Sequence, residues 1–243
     1  MEVRLPFFQK ANRPLRLMAP VLGTASRFAF IGGIMHLLEM ALEEALQQDT
    51  CALCWLALQR LIRRVDILLS EHVLDPEWRQ SLREGNGFCP PHAHLLLKRG
   101  QVLSLSLIAE DVLSVAPLLA AQRKFKVWRC QLCEAHAHEV TQSAERLAQM
   151  LSAEEWRARY AQSNGLCLPH LQKVLSYTRV EVRRWLVENE SQRWQRLRWQ
   201  LQEVVRKHDY RFQQEPWGDE IGSWRRAFHK LYGVSPEEVG DER

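Results

Sequence analysis

The arrangement of the cysteines constrains this chain more than any other feature of its sequence, because the arrangement occurs twice. The first copy contains Cys51-Ala52-Leu53-Cys54, Glu77-Trp78-Arg79 and Asn86-Gly87-Phe88-Cys89-Pro90-Pro91-His92. The second copy contains Cys130-Gln131-Leu132-Cys133, Glu155-Trp156-Arg157 and Asn164-Gly165-Leu166-Cys167-Leu168-Pro169-His170. The first cysteine precedes the third by 38 residues in one copy and by 37 in the other. This agreement indicates a duplicated unit with a period of 78 to 79 residues.

Apolar periodicity and helix-terminus signals predict an all-α fold for both copies. In the first copy we predict helices over 26–47, from Cys51 to about His72, from Asp75-Pro76 to Asn86-Gly87, and from Pro90-Pro91 to about Ala121. In the second we predict helices from Cys130 to Leu151, from a capping box at Ser152 to Asn164-Gly165, and from Leu168 to about Arg211. A short closing helix from Ile221 to Tyr232 should end at Gly233. No stretch alternates apolar and polar residues long enough to predict a strand.

The chemistry of the repeat follows from its donor atoms. All six cysteines of the chain lie in these motifs, and each copy adds one histidine. A Cys-x-x-Cys pair lets two sulfurs reach one ion, and Cys-x-x-His supplies a third thiolate and an imidazole for a tetrahedral shell. We therefore predict two metal sites, one within each copy. Site one consists of Cys51, Cys54, Cys89 and His92, and site two of Cys130, Cys133, Cys167 and His170.

The donor set favours zinc, two ions per chain, because a closed four-ligand site is the usual structural form of that metal. An iron–sulfur cluster is the alternative, since three thiolates and a histidine can also hold one. A dithiol redox protein would explain each Cys-x-x-Cys pair but not the third cysteine and the histidine. A closed site leaves no open position for a substrate, which argues against a hydrolytic zinc enzyme. No Ser-His-Asp set, phosphate loop or paired-carboxylate motif stands out, so we predict no catalytic residue and favour a protein that is not an enzyme.

The repeat divides the chain into four parts. We predict an N-terminal extension over 1–24, a first helical metal-binding repeat over 25–122, a second over 123–206 and a closing segment over 207–243. Basic residues precede an apolar stretch at 28–38, as in a signal peptide, but Glu39, Glu43 and Glu44 follow in helical phase. We therefore predict an amphipathic helix, no membrane span and a cytoplasmic protein with reduced thiols.

Two further segments bear on partners. Basic and aromatic residues interleave between Arg183 and Trp199, a pattern found on nucleic-acid surfaces. The net charge is only +4, however, and glutamates dilute the segment, which favours an amphipathic helix with a solvated Arg face over a nucleic-acid surface. The closing segment is dense in polar and aromatic residues that are candidates for lining a binding pocket: Asp209, Arg211, Glu215, Trp217 and Glu220.

With these motifs in place, the chain resembles a family of uncharacterised bacterial proteins that is classed as a domain of unknown function. The resemblance rests on both Cys-x-x-Cys…Gly-x-Cys-x-x-His units and on Asp209-Tyr210-Arg211 followed by Glu215-Pro216-Trp217-Gly218. It covers roughly residues 45 to 233, and it implies the repeat and the metal ligands without implying an activity.

These observations predict a non-catalytic, metal-binding helical protein with two structural Cys3His sites that acts by binding an unknown protein partner. An iron–sulfur or thiol redox protein, either carrier or sensor, is the first alternative. A nucleic-acid-binding protein stapled by zinc is the second.

Overall fold

The computed structural model describes residues 37–121 and 129–234. These residues form ten α-helices and one 3-10 turn (His72–Leu74), with no strand among them, which confirms the all-α prediction. The helices are α1 Leu37–Leu46, α2 Ala52–Ser70, α3 Pro76–Glu84, α4 Pro90–Arg99, α5 Val102–Ala120, α6 Gln131–Met150, α7 Glu154–Gln162, α8 Leu168–Leu175, α9 Val180–Lys207 and α10 Ser223–Tyr232.

The duplicated unit is confirmed by the helix boundaries. Helices α2 to α5 form the first repeat and α6 to α9 the second, in the same order. A shift of 78 residues places the bounds of α3 on those of α7, and it places the first residues of α4 and α5 on those of α8 and α9. Outside this plan, α1 packs against α2 and α6, and α10 packs against α8 and α9.

Each repeat ends in two helices where one long helix was predicted, so both of those predictions are wrong. The first helix breaks at Gly100, whose ψ of 152° is extended, and the second breaks before Arg179, whose ψ is 159°. These two breaks fall at nearly equivalent positions. At the first break the chain turns closely enough that a Cβ on Gly100 would lie 2.6 Å from the Leu105 side chain, so only glycine fits there.

The helix-terminus predictions are confirmed in the first repeat and partly wrong in the second. The Asp75 side chain accepts a hydrogen bond from the Glu77 N–H (2.9 Å), and Pro76 opens α3 as predicted. Asn86 and Gly87 both have positive φ. In the second repeat Ala153, not Ser152, is the residue before α7, and it has no side-chain oxygen to cap the helix.

Two apolar cores share their longest helices. One core joins α1 to the start of α2, the end of α6, α7, α8 and the start of α9. The other joins the remainder of α2 to α3, α4, α5 and the start of α6. Because α2 and α6 run through both cores and pack against each other, neither repeat has a core of its own. The two copies fold as one interlocked body.

Helix α5 is the feature that bears on the prediction of no membrane span. Among the described residues this one helix is long and apolar enough to span a membrane, by length and composition only. Asp111, near its middle, is buried against Arg79 and Arg83 of α3, so one face of α5 packs on the protein. A single helix of this kind is weak evidence of a membrane span.

Several predictions concern residues outside the described part of the chain. They are the extension over 1–24, the beginning of the helix predicted over 26–47, the boundary between 122 and 123, and the end of the closing segment beyond Val234. The four-part division of the chain therefore stays a prediction.

Candidate metal centre

Four donor side chains meet at one end of the first core. Cys51 and Cys54 come from α2, and Cys167 and His170 come from the start of α8; we call these four residues cluster A. The Nδ1 atom of His170 lies 3.4 Å from the Cys51 Sγ and 3.3 Å from the Sγ atoms of Cys54 and Cys167. The Sγ atoms of Cys54 and Cys167 are 3.7 Å apart. All four donors can therefore face one point.

A second cluster of the same composition lies in the other core. Cys89 and His92 come from α4, and Cys130 and Cys133 come from the start of α6; we call these four residues cluster B. The His92 Nδ1 lies 3.2, 3.4 and 3.3 Å from the sulfurs of Cys89, Cys130 and Cys133, respectively. In each cluster the donor atoms all lie within 4.8 Å of one another.

The eight predicted donors are thus brought together, but in different sets from those predicted. Site one and site two were each assigned to a single copy, and that assignment is wrong. The Cys-x-x-Cys pair of the first copy meets the Cys-x-x-His pair of the second, and the reverse holds for the other cluster. The physical reason is the contact between α2 and α6, which places the start of each helix beside the other repeat's Cys-x-x-His turn.

All four motifs sit at the beginnings of helices. Cys51, Cys89, Cys130 and Cys167 are the residues immediately before α2, α4, α6 and α8. Two helix N-termini therefore point at each cluster, and the partial positive charge of a helix N-terminus favours thiolate over thiol. Proline in the first turn of α4 and α8 suits this position, because no intrahelical hydrogen bond is lost there.

Without a metal ion, the surroundings of cluster A favour the charged forms of two donors, the Cys51 thiolate and the His170 imidazolium. Burial opposes a thiolate at Cys51, but hydrogen bonds with Cys167, Cys54 and His170 outweigh it and hold the pKa of Cys51 well below its ordinary value. Burial also opposes a charged imidazole at His170, yet hydrogen bonds with Cys167 and Cys51 raise the pKa of His170 to about 10. A metal ion would displace the protons that this cluster holds.

Cluster B differs mainly in its access to solvent. In cluster A the three cysteines are buried, whereas in cluster B Cys89 is half-buried and Cys133 is exposed. Although Cys133 is exposed, neighbouring protein atoms remove part of the water around its thiol, and together with the sulfurs of Cys89 and Cys130 they raise the pKa of this thiol to about 12. Hydrogen bonds from His92 and from the backbone of Cys89 and Cys133 overcome burial at Cys130 and lower the pKa of that thiol.

Sequence analysis missed a buried polar network behind cluster A. Glu190 of α9 is fully buried, and its Oε1 accepts hydrogen bonds from the Tyr160 hydroxyl (2.5 Å) and from the Leu166 N–H (3.1 Å). The Lys230 ammonium of α10 lies 2.7 Å from Oε2 as an ion pair. Leu166 immediately precedes Cys167, so the network fixes the turn that presents this ligand. Glu190 lies in a segment rich in charged residues, so its position in the sequence did not predict that it would be buried.

The five candidate binding residues of the closing segment pair with one another or with the end of α9. Asp209 and Arg211 form an ion pair (2.7 Å), Glu215 pairs with Arg206, and Glu220 pairs with Lys207. The Lys207 ammonium also lies over the Trp217 ring. These contacts fold the segment back on α9, and a role of the five residues in ligand binding stays a prediction.

Comparison with known proteins bears on the family. Residues 35–117 and 115–238 each match a family described as a family of unknown function (DUF6062). The chain is also similar to an uncharacterized 23.9 kDa protein in the xynA 3' region of Caldicellulosiruptor sp. (strain Rt8B.4), with 26% identity over 201 residues. That alignment covers 79% of this chain and 98% of the relative. No solved structure matches the chain. With two consecutive matches that together span most of its length, the chain belongs to the family of unknown function DUF6062.

Proposed function

We propose that this chain is a non-catalytic protein that holds one zinc ion in cluster A and one in cluster B. The observation that carries the proposal is the convergence of three sulfurs and one imidazole nitrogen, twice, within 4.8 Å. In a tetrahedral zinc site with Zn–S bonds of about 2.3 Å, sulfurs stand about 3.8 Å apart. The separation of 3.7 Å in cluster A and that of 3.4 Å in cluster B are close to this spacing.

The same spacing argues for a single ion over an iron–sulfur cluster. In a four-iron cluster each protein ligand binds a different iron, so the ligands stand on the outside of a body of irons and sulfides. Donors that all lie within 4.8 Å of one another can share one ion but leave no room for such a body between them. The geometry therefore favours the zinc prediction over its first alternative.

The proposed role of the ions is structural. Each ion would join a helix start of one repeat to a helix start of the other, across 113 residues of chain from Cys54 to Cys167 in cluster A and across 44 from Cys89 to Cys133 in cluster B. Four protein donors complete a tetrahedral shell, so no position is left for a substrate. Because the unfolded chain does not preform such sites, the free energy of metal binding adds to the stability of the fold. Free, closely spaced thiols suit the cytoplasm, which we infer as the location.

If the metal ions are structural, the function of the protein depends on the surface of its helices. We infer that this surface binds a protein partner. Helix α10 carries exposed aromatic side chains in line along one face, at Trp224, Phe228 and Tyr232. Exposed aromatic residues are over-represented among residues that dominate binding energy at interfaces. By contrast, Arg183 and Arg193 of α9 donate to backbone carbonyls of the chain itself, so these two guanidinium groups have fewer donors left for phosphates of a nucleic acid.

The metal proposal is tested by elemental analysis and visible absorption of protein purified without oxygen. We expect about two zinc per chain and no absorption near 400 nm. Iron with sulfide and a brown colour would replace zinc by the redox alternative. Protein that is folded and free of any metal, after purification that preserves metals, would contradict the proposal altogether.

The partner inference is tested by comparing the proteins that co-purify with the wild type and with the Trp224→Ala, Phe228→Ala variant. We expect a protein that co-purifies with the wild type to be lost from the variant.

A further inference from the structure

We propose that the two metal sites differ in kind: cluster A is locked by helix α10 and retains its ion, whereas cluster B is an exchangeable site. Its ion would pass to and from thiolate- or nitrogen-bearing ligands in solution at Cys133, an exposed residue. The inference rests on the proposed function, because it assumes that both clusters bind zinc. It goes further by assigning metal exchange to one of them.

The end of α10 lies directly on cluster A. Gly233 ends the helix with φ of 84°, and a Cβ on this residue would lie 3.4 Å from the Cys54 Sγ and 3.6 Å from the Cys167 Sγ. Those are ordinary van der Waals distances, so the backbone of Gly233 covers the two sulfurs. Val234, the next residue, packs against the same core. A ligand from solution therefore meets the polypeptide before it meets these thiolates.

A buried ion pair holds this cover in place. The Lys230 ammonium, one turn before Gly233, lies 2.7 Å from Glu190 Oε2 and donates to the Asn164 carbonyl (2.8 Å). Glu190 in turn accepts from the Leu166 N–H, beside Cys167. The lysine thus ties α10 both to α9 and to the turn that presents a ligand of cluster A. Separating one partner from a buried ion pair leaves a buried charge without its counter-charge, so opening this cover is costly.

The turn at Gly165 makes room for the Glu190 carboxylate that holds this cover in place. Gly165 has φ of 67°, and a Cβ there would come within 2.0 Å of Glu190 Oε1. Only glycine lets the carboxylate approach the turn so closely. At the equivalent position of the first repeat, Gly87 is met by the Val112 side chain, which has no charge to bind a covering helix.

Cluster B has no such cover among the described residues. The helices equivalent to α8 and α9 are α4 and α5, and no described helix packs on them as α10 packs on the second repeat. Side chains on the outer face of α5 are left in solvent, at Val102, Leu103 and Leu113. Cys133 is exposed and Cys89 is half-buried. Among the residues that the structure describes, no helix corresponding to α10 separates an incoming ligand from Cys133.

If cluster B holds zinc, an incoming thiolate or nitrogen donor would replace the Cys133 sulfur, and that sulfur would take up a proton from solvent. Transfer of the ion to the acceptor would then require the same replacement at the other three donors, Cys89, His92 and Cys130. In cluster A, exchange at the Cys54 or Cys167 sulfur would have to begin with the separation of Gly233 from these sulfurs and of Lys230 from Glu190, which places a conformational step before it.

The test is the kinetics of zinc release from the full chain to excess 4-(2-pyridylazo)resorcinol, a coloured nitrogen-donor chelator. We expect two phases of equal amplitude. Cys133→Ser, at an exposed position, should remove or further accelerate the fast phase and leave the slow one. Lys230→Met should accelerate the slow phase by about tenfold or more, the effect of losing a hydrogen bond to a charged group, and leave the fast phase unchanged. Lys173→Met, on neighbouring α8, is the matched control and should alter neither phase.

The outcomes separate this inference from the proposal on which it rests. A chain with fewer than about two zinc ions, correctly folded, contradicts the proposed function. Two ions released in one phase, or a slow phase that Lys230→Met leaves unchanged, overturns the lock while the two-zinc proposal stands. If Lys230→Met fails to fold, judged by circular dichroism, the Tyr160→Leu, Glu190→Val variant replaces it. That variant gives the second repeat the side chains of the first, and its slow phase should also accelerate; an unchanged slow phase overturns the lock.

Discussion

The two repeats place different chemistry at the same point behind their metal ligands. In the first repeat, Leu82 of α3 and Val112 of α5 fill the space behind the Gly87 turn. In the second, the equivalent residues are Tyr160 and Glu190, both fully buried and joined by a hydrogen bond. An apolar pair and a polar pair thus support the same backbone. The comparison shows that the repeat fixes the position of the ligands and leaves the surroundings of each site free to differ.

Each repeat nevertheless keeps one buried carboxylate on its last helix, displaced by one residue. In the first repeat it is Asp111, which accepts from Arg79 and Arg83 of α3. In the second it is Glu190, which pairs with Lys230 of α10. One residue along an α-helix turns the side chain by about 100°. The displacement therefore redirects the carboxylate from a helix of its own repeat to the closing helix, so of these two carboxylates only Glu190 pairs with α10.

The largest expected effect comes from pairs of Cys→Ser substitutions. The pairs distinguish ligand sets that combine both copies from ligand sets that lie within a single copy. Cys54→Ser with Cys167→Ser damages cluster A alone, so about one zinc per chain should remain in cluster B. Cys54→Ser with Cys89→Ser lies within one copy but damages both clusters, so both ions and most of the helicity should be lost. Metal content and circular dichroism measure the two results. Sites confined to single copies would give the opposite stoichiometries.

The grouping of ligands marks the limit of what the sequence can predict here. The repeat, the helical class and the eight donors follow from spacing and periodicity, because those depend on local geometry. The grouping of the ligands does not follow from local geometry. Cys54 and Cys89 are 35 residues apart, His92 and Cys130 are 38 apart and Cys54 and Cys167 are 113 apart. Because the entropy of loop closure grows slowly with loop length, even the longest of these loops costs only about 1 kcal/mol more to close than the shortest. The grouping depends on the packing of α2 against α6, a long-range contact that no local pattern encodes.

The helix breaks and the buried glutamate were missed for related reasons. Gly100 in a strongly apolar stretch is tolerated inside many helices, so its presence does not by itself predict a break. Glu190 stands among exposed charged residues, and its burial depends on α10 folding back over α9, about 40 residues later in the chain. Asp75 and Asn86-Gly87, by contrast, act within one turn and were predicted correctly.

The next prediction compares Glu190 of the second repeat with Val112, the residue at the equivalent position of the first. Glu190→Leu leaves the Lys230 ammonium without its carboxylate in a mostly buried position, and removing one partner of a buried pair costs about 3–5 kcal/mol. Val112→Ala at the equivalent position of the first repeat removes only two methyl groups, which costs about 1–2 kcal/mol. Urea unfolding at saturating zinc should show this order. Equal losses would mean that the ion pair adds little beyond packing.

The carboxylate of the first repeat should make stability depend on pH. Burial alone would raise the pKa of Asp111, but hydrogen bonds from Arg79 and Arg83 outweigh it, so the pKa lies below its ordinary value. A lowered pKa contributes stability that is complete above the unfolded value of about 3.9 and is lost as pH falls through the folded pKa. Asp111→Asn should cost about 1–3 kcal/mol at neutral pH. The difference between the two urea midpoints should shrink as the solution is acidified; a constant difference would contradict the ion-pair interpretation.

The smallest expected effect concerns the residues immediately before α3 and α7, which occupy equivalent positions in the two repeats. Asp75 caps α3, and the residue at the equivalent position before α7 is Ala153, which offers no side-chain acceptor. Replacing an aspartate cap by alanine costs about 1 kcal/mol, so Asp75→Ala should lower the free energy of unfolding by that amount. Ala153→Asp should raise it by a similar amount, because Ala153 already has extended backbone angles (φ −89°, ψ 140°) close to those of Asp75. The double variant should then match the wild type in urea unfolding. A loss from Ala153→Asp would show that the two helix starts, alike in backbone, differ in the groups that surround them.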